Sequence, residues 1–338
     1  MSNLEATAVT GPAGVRTEAG TALTLEPRLV PLGGIRGITV ARTLPHRRRP
    51  TVGAWCFVDH FGPDPAPMVV LPHPHTGLQT VTWLFAGAVR HRDSLGSDVW
   101  VRPGQLNLMT AGPGVAHSEI SQQVAGEPDE AATTLHGLQL WLALPGDMSA
   151  VTAAFEHHGD LPTVELPAID QSGTPEMVTA TVLVGTLAGV ASPATVHSPL
   201  VGAQIVADGP VTTTLPVDTA FEHAVLPIGT SVRVDGEPVS EGHLHVLPTG
   251  ADRIELAVAG AGTVMLLGGT PFTDDLVMWW NFIGRSHEDI AAARTDWESV
   301  ASGTAAARYG TVTGHDGARI PAPDLPGVRL TPRRARPS

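Results

Sequence analysis

Glycine and proline interrupt this 338-residue chain so often, with 37 and 30 copies, that long helices have almost nowhere to form. Between the interruptions lie short runs rich in β-branched and aliphatic residues, at 78–85, 99–102, 177–184, 231–234 and 254–259. The pattern predicts an all-β protein of short strands. Asp235-Gly236, flanked by Val232-Arg233-Val234 and Glu237-Pro238-Val239, reads as a tight hairpin, because both residues tolerate the positive φ of a primed turn. Two stretches read as helix. In the first, Ser286-His287-Glu288-Asp289 resembles a capping box, and Ile290, Ala293, Arg294 and Trp297 recur at helical spacing, which gives an amphipathic helix over about 286–301. A second, weaker helix is expected near 148–157.

The halves of the chain look like divergent copies of one unit. Phe85-Ala86-Gly87, Arg102-Pro103-Gly104, Leu106-Asn107-Leu108 and Ala111-Gly112 line up in order with Pro227-Ile228-Gly229, Ser240-Glu241-Gly242, Leu244-His245-Val246 and Thr249-Gly250. A repeating all-β unit protects its sheet edges by closing into a small barrel or jelly roll. The expected division is an N-terminal barrel over 24–147, a linker over 148–175 and a C-terminal barrel over 176–275. A closing segment with the helix over 276–305 and a loosely packed, Pro- and Arg-rich tail over 306–338 complete it.

Composition narrows the chemistry. All 20 basic residues are arginine, so a Schiff-base lysine and the phosphate-loop lysine are excluded. The single cysteine, Cys56, permits neither an internal disulfide nor a thiolate metal cluster, and it reads as a small buried residue. A formal net charge of −13 repels a phosphate backbone, so no direct nucleic-acid contact is expected; the arginine runs at 47–49 and 333–336 read as solvated loop and tail charge. No apolar run is long enough to cross a bilayer, and residues around Glu5 do not form a signal peptide. A cytoplasmic protein is the expectation.

Ligand-type side chains concentrate in the first copy. His73-Pro74-His75 and His117-Ser118-Glu119 each present two at spacing i, i+2, which on a strand sends both to one face. If the two strands face one barrel interior, three imidazoles and one carboxylate converge. That set suits Fe(II), Mn(II), Ni(II), Cu(II) or Zn(II), and an octahedral ion would keep two positions open for catalysis or ligand binding. The second copy places Leu215-Pro216-Val217 opposite the histidine pair and Glu255 and Ala257 opposite His117 and Glu119, so no metal is expected there. His243-Leu244-His245 and Glu222-His223 read as polar strand faces.

At these residues the chain resembles the pirin family of bicupins. The matching blocks are Phe57-Val58-Asp59-His60-Phe61-Gly62-Pro63, His73-Pro74-His75-Thr76-Gly77 continuing through Phe85, His91-Arg92-Asp93-Ser94-Leu95-Gly96, and Met109 through Glu119. The resemblance implies two tandem cupin (jelly-roll) barrels with one mononuclear metal, usually iron, on His73, His75, His117 and Glu119. It also implies one of two roles: quercetin 2,3-dioxygenase activity on a flavonol and O2, with carbon monoxide release, or iron-dependent redox sensing through a regulatory protein partner. A metal-binding bicupin without a dedicated catalytic role is the third reading. We expect the first, with Fe(II) as the metal and Glu119 as both ligand and proton acceptor for the flavonol 3-hydroxyl. Relatives commonly carry Glu where this chain has Gln79.

Further residues are placed by strand parity and proximity. Gln79, Val81 and Trp83 share the parity of His73 and His75 and are expected to line the substrate pocket, Gln79 nearest the substrate. Asp59 and His60 are expected in a turn that ties loops together or orients a ligand histidine. Met109 is expected in the core.

Overall fold

The computed structural model describes residues 21–31, 38–65, 67–121, 134–146, 151–300 and 308–332. Along the chain the strands are β1 (Leu23–Leu25), β2 (Arg28–Pro31), β3 (Thr39–Leu44), β4 (Trp55–Asp64), β5 (Val69–His75), β6 (Leu78–Ala86), β7 (Val89–Asp93), β8 (Asp98–Val101), β9 (Leu106–Thr110), β10 (Val115–Ile120), β11 (Leu135–Ala143) and β12 (Ala154–His158). The second half contributes β13 (Thr163–Asp170), β14 (Pro175–Leu187), β15 (Val190–Ala191), β16 (Leu200–Ala207), β17 (Val211–Pro216), β18 (Glu222–Ile228), β19 (Val232–Val234), β20 (Glu237–Val239), β21 (Leu244–Leu247), β22 (Arg253–Val258) and β23 (Gly262–Gly269). A short hairpin, β24 (Val277–Trp279) and β25 (Phe282–Gly284), leads into the helix α1 (His287–Val300).

The all-β expectation holds, and the chain forms two barrels. In the first, a seven-stranded sheet ordered β12-β9-β6-β11-β4-β3-β2 faces a four-stranded sheet ordered β5-β10-β7-β8. In the second, one sheet runs β1-β21-β18-β23-β16-β14-β13-β17-β22-β19-β20. The duplication is visible in the pairing: β10 lies between β5 and β7 as β22 lies between β17 and β19, and β6 lies between β9 and β11 as β18 lies between β21 and β23. Asp235 and Gly236, at φ 49° and 85°, make the anticipated hairpin turn. The capping box is reciprocal, with Asp289 N donating to Ser286 Oγ at 3.2 Å and Ser286 N donating to Asp289 Oδ2 at 2.9 Å.

Three boundaries differ from expectation. The N-terminal strand β1 pairs with β21 of the C-terminal barrel, so residues 23–25 do not belong to the first barrel. The 148–175 stretch is not a plain linker: β12 completes the first barrel on β9, and β13 joins β14 to β17 in the second. Its 154–158 part is strand where a helix was expected, because the backbone pairing offered by β9 outweighs weak local periodicity; residues 147–150 lie outside the described residues. The tail is packed. Ile320, Ala322 and Leu330 are buried with Trp297 and Tyr309, and Ile320 N donates to Pro72 O at 2.8 Å while Trp297 Nε1 donates to Ile320 O at 2.9 Å. Residues 333–336, the second arginine run, lie outside the described residues.

The barrels share a core. Trp55 on β4 is fully buried and donates its Nε1 hydrogen toward Val201 O (3.2 Å) and Gly268 O (3.1 Å) of the second barrel. A Cβ at Gly202 would come within 2.8 Å of the Trp55 ring, so glycine permits this approach. Arg49 forms an ion pair with the buried Glu222, whose Oε2 also accepts from Gly53 N at 3.0 Å. Among the described residues no helix is long and apolar enough to cross a membrane.

Candidate metal centre

Strand β5 brings in His73 and His75, and β10 brings in His117 directly opposite His73 in the antiparallel register. The alternation of a pleated strand places both β5 imidazoles on one face. The three rings converge: one nitrogen from each lies within 4.8 Å of the others, and ring centroids stand 4.4–5.1 Å apart. All three side chains are fully buried. Burial, with smaller contributions from neighbouring positive groups, holds all three pKa values well below the ordinary histidine range, so the rings are neutral and keep a lone pair.

The ring nitrogens show where such lone pairs point. His73 Nδ1 donates to Leu71 O at 2.9 Å, which leaves His73 Nε2 as an acceptor. His73 Nε2 and His117 Nε2 are buried without a hydrogen-bond partner among the described residues, and His75 is buried beside them with one backbone contact, to Asn281. Orphaned buried nitrogens are costly, and a transition ion satisfies them together. The residues present therefore fit a metal ion.

Glu119, expected as the fourth ligand, is buried in the same barrel but is not in the three-imidazole cluster. The register of β10 against β5 shifts between His117 and Glu119, and Glu119 Oε1 accepts from Thr82 Oγ1 at 3.3 Å. The same hydroxyl lies 3.1 Å from Gln139 Oε1, and Gln139 Nε2 reaches Val81 O at 3.3 Å. One wall is aromatic: Trp141 meets His75 edge-on at 5.1 Å and stacks on Phe57 at 4.0 Å.

The pocket-lining expectation for Gln79, Val81 and Trp83 is corrected by their partners. Thr82 is the β6 residue that reaches Glu119, so its neighbours of opposite parity point the other way. Gln79 Nε2 donates to Thr110 Oγ1 and to Thr195 O, both at 2.9 Å, Trp83 Nε1 donates to Gln204 Oε1 at 3.0 Å, and Val81 joins the core shared by the barrels. Parity is lost because the chain leaves one sheet at His75 and enters the other at Leu78, through Gly77 at φ 71°.

Asp59 and His60 lie within β4, not in a turn, and they contact Arg42 and His136 rather than the ligand imidazoles. Asp59 makes a buried two-pronged pair with Arg42, at 2.7 and 2.8 Å, and burial raises its pKa despite the guanidinium. Arg42 in turn covers the Phe57 ring at 4.3 Å. His60 Nε2 meets His136 Nε2 at 2.8 Å, and burial first, then the His136 charge, lowers its pKa to about 4. Cys56 is buried and burial pushes its thiol up, which removes the thiolate needed for redox chemistry. Met109 is in the core with Ala111 and Val115.

Sequence reasoning missed His91 on β7, whose Nδ1 lies 3.3 Å from His117 Nδ1. It placed a closing segment at 276–305 but not that segment's contacts with the ligand strands. Thr76 bridges to Phe282, Ile283 N donates to Thr76 O at 3.0 Å, and Ala116 N donates to Tyr309 O at 3.1 Å, so Phe282, Ile283 and Tyr309 brace both ligand strands. The spacing of His91 and Asp93 at i, i+2 on a short β run was the available signal. A surface depression of about 410 Å³ lined by Ile169, Val211, Val232 and Pro238 lies in the second barrel and includes none of the imidazoles.

Two tandem β-barrels, with a buried three-histidine cluster in the first alone among the described residues, define a two-barrel protein of the cupin type with a candidate metal centre. The family models named Pirin and Pirin C-terminal cupin domain match residues 37–142 and 203–303. A Pseudomonas aeruginosa protein named "Putative quercetin 2,3-dioxygenase PA1205" is 42% identical over 88% of this chain and 89% of its own. A Caulobacter vibrioides pirin-like protein is 34% identical over 77% of this chain and 88% of its own. The crystal structure of a quercetin 2,3-dioxygenase from Acinetobacter baumannii superposes with a TM-score of 0.79 at 37% identity, covering 91% of this chain and 97% of that one. The chain belongs to the pirin family.

Proposed function

We propose that this protein is a metal-dependent dioxygenase that opens the heterocycle of a flavonol such as quercetin with O2 and releases carbon monoxide. The observation that supports this best is the cluster of three buried, neutral imidazoles with unpartnered Nε2 atoms, in a chain with relatives named for that activity. His73, His75 and His117 would hold the ion, Fe(II) in this reading, with Glu119 as the fourth ligand. When bound, the ion supplies Lewis-acid polarisation of the flavonol 3-hydroxyl and 4-carbonyl and a redox partner for O2.

The chain's own residues supply the rest. Glu119 is a buried carboxylate two residues from His117 on β10, and it accepts the proton of the flavonol 3-hydroxyl. Thr82 orients that carboxylate by donating to Oε1. Trp141 and Phe57 present an aromatic wall next to His75, and burial of the whole centre keeps bulk water away from the reacting atoms.

The test is oxygen uptake and carbon monoxide release by purified, iron-loaded protein given quercetin. Metal-dependent consumption of O2 with carbon monoxide formed in step is the expected result. Fully loaded protein that consumes no oxygen above the metal-free control would overturn the reading.

A further inference from the structure

We propose that His91 and Asp93 are positioning residues that fix the hydrogen of His117 on Nδ1 and so aim its Nε2 lone pair at the metal centre. The inference rests on the reading of the three imidazoles as a metal centre, but not on any turnover. It begins at Asp93, whose place is fixed by the backbone: Oδ1 accepts from Leu95 N and from Ser97 N, both at 2.9 Å. Its other oxygen, Oδ2, lies 3.1 Å from His91 Nε2. A carboxylate only accepts, so His91 Nε2 carries the hydrogen in that contact.

In an imidazole whose one hydrogen is on Nε2, the second nitrogen is a bare acceptor. That nitrogen, His91 Nδ1, is the atom 3.3 Å from His117 Nδ1. The hydrogen between the rings therefore belongs to His117, and His117 Nε2 is left with its lone pair. His117 Nε2 is also the nitrogen that is buried without a partner. The direction of every bond runs from the cluster outward to Asp93.

Packing holds the relay in place. The His91 ring stacks on Phe155 of β12, with centroids 4.3 Å apart and planes 15° from parallel. Both His91 and Asp93 are buried. Within the cluster, His73 has its hydrogen fixed by a backbone carbonyl, whereas His117 has its own fixed by a side chain that ends on a carboxylate. A carboxylate behind a ligand imidazole raises its basicity, and losing such an outer partner ordinarily costs 10–100-fold in metal affinity.

The tautomer is read directly by long-range proton–nitrogen NMR of the full chain in its metal-free form. The expected result is His117 with its hydrogen on Nδ1; a hydrogen on Nε2 would overturn the proposal. Affinity for Co(II), measured by competition with a chelator, gives the second readout. His91→Phe keeps a ring against Phe155 but deletes the acceptor, and should weaken Co(II) binding about 10–100-fold. His91→Gln retains a carbonyl acceptor and should recover most of that loss. Wild-type affinity in His91→Phe, or an equal loss in both variants, would show that His91 acts through packing alone; if His91→Phe does not fold, the wild-type tautomer still decides.

Discussion

The two barrels repeat one strand plan, yet their interiors diverge at the corresponding strands. In the first, β5 and β10 point His73, His75 and His117 at one another; in the second, β17 and β22 bring Leu215, Ile254 and Leu256 into an aliphatic core with Val182, Ala203 and Leu266. Glu255, which sequence alignment placed opposite His117, is exposed on β22. The scaffold thus tolerates either filling. An aliphatic interior stabilises by burial alone, at roughly 25 cal/mol per Å² of apolar surface, whereas the polar one carries groups that need partners. The first barrel satisfies some internally, through Arg42 with Asp59 and Gln139 Nε2 with Val81 O, and leaves the imidazoles for an ion.

Changes in the first barrel should have the larger effects. His73→Ala or His117→Ala should reduce bound transition metal from about one per chain to near none, measured by elemental analysis of the purified protein. Full occupancy in both variants would break the contrast between the barrels. Arg42→Ala leaves Asp59 buried without its guanidinium and should cost about 3–5 kcal/mol in urea unfolding. A cost below about 1 kcal/mol would mean the pair is not what supports that interior.

His223 tests the second barrel on its own terms. Burial lowers its pKa to about 4, so the unfolded chain takes up this proton near pH 6.5 while the folded chain resists it until about pH 4. Its contribution to stability is present above pH 6.5 and is lost as pH falls toward 4, on the order of 3 kcal/mol. His223→Leu should flatten that part of the stability profile; an unchanged slope would show that the ring is not held neutral. Glu119→Gln keeps the size and an oxygen donor but removes the proton acceptor, and turnover per bound metal should fall on the order of 10²-fold. Wild-type turnover in an iron-bound variant would remove Glu119 as the base.

The sequence carried the ligand histidines because strand geometry is local: i, i+2 spacing puts two side chains on one face whatever surrounds them. The hairpin at Asp235-Gly236 and the Ser286–Asp289 cap were legible for the same reason, since each depends on a few adjacent residues. What failed depended on contacts between distant segments. Gln79 and Trp83 were assigned to the wrong face because parity does not survive the change of sheet at Thr76-Gly77. The tail looked loose because Ile320, Ala322 and Leu330 are sparse and show no period, and only the surface made by Trp297 and Tyr309 gives them a place. His91 stood in the sequence only as part of a matching block, and its place beside His117 comes from the pairing of β7 with β10.

The contrast between the barrels is tested most directly by anomalous diffraction from crystals grown with excess transition metal, collected at the absorption edge of that metal. One peak per chain, among His73, His75 and His117, is the predicted result. A second tightly bound ion inside the C-terminal barrel, or no peak at the three imidazoles, would contradict it.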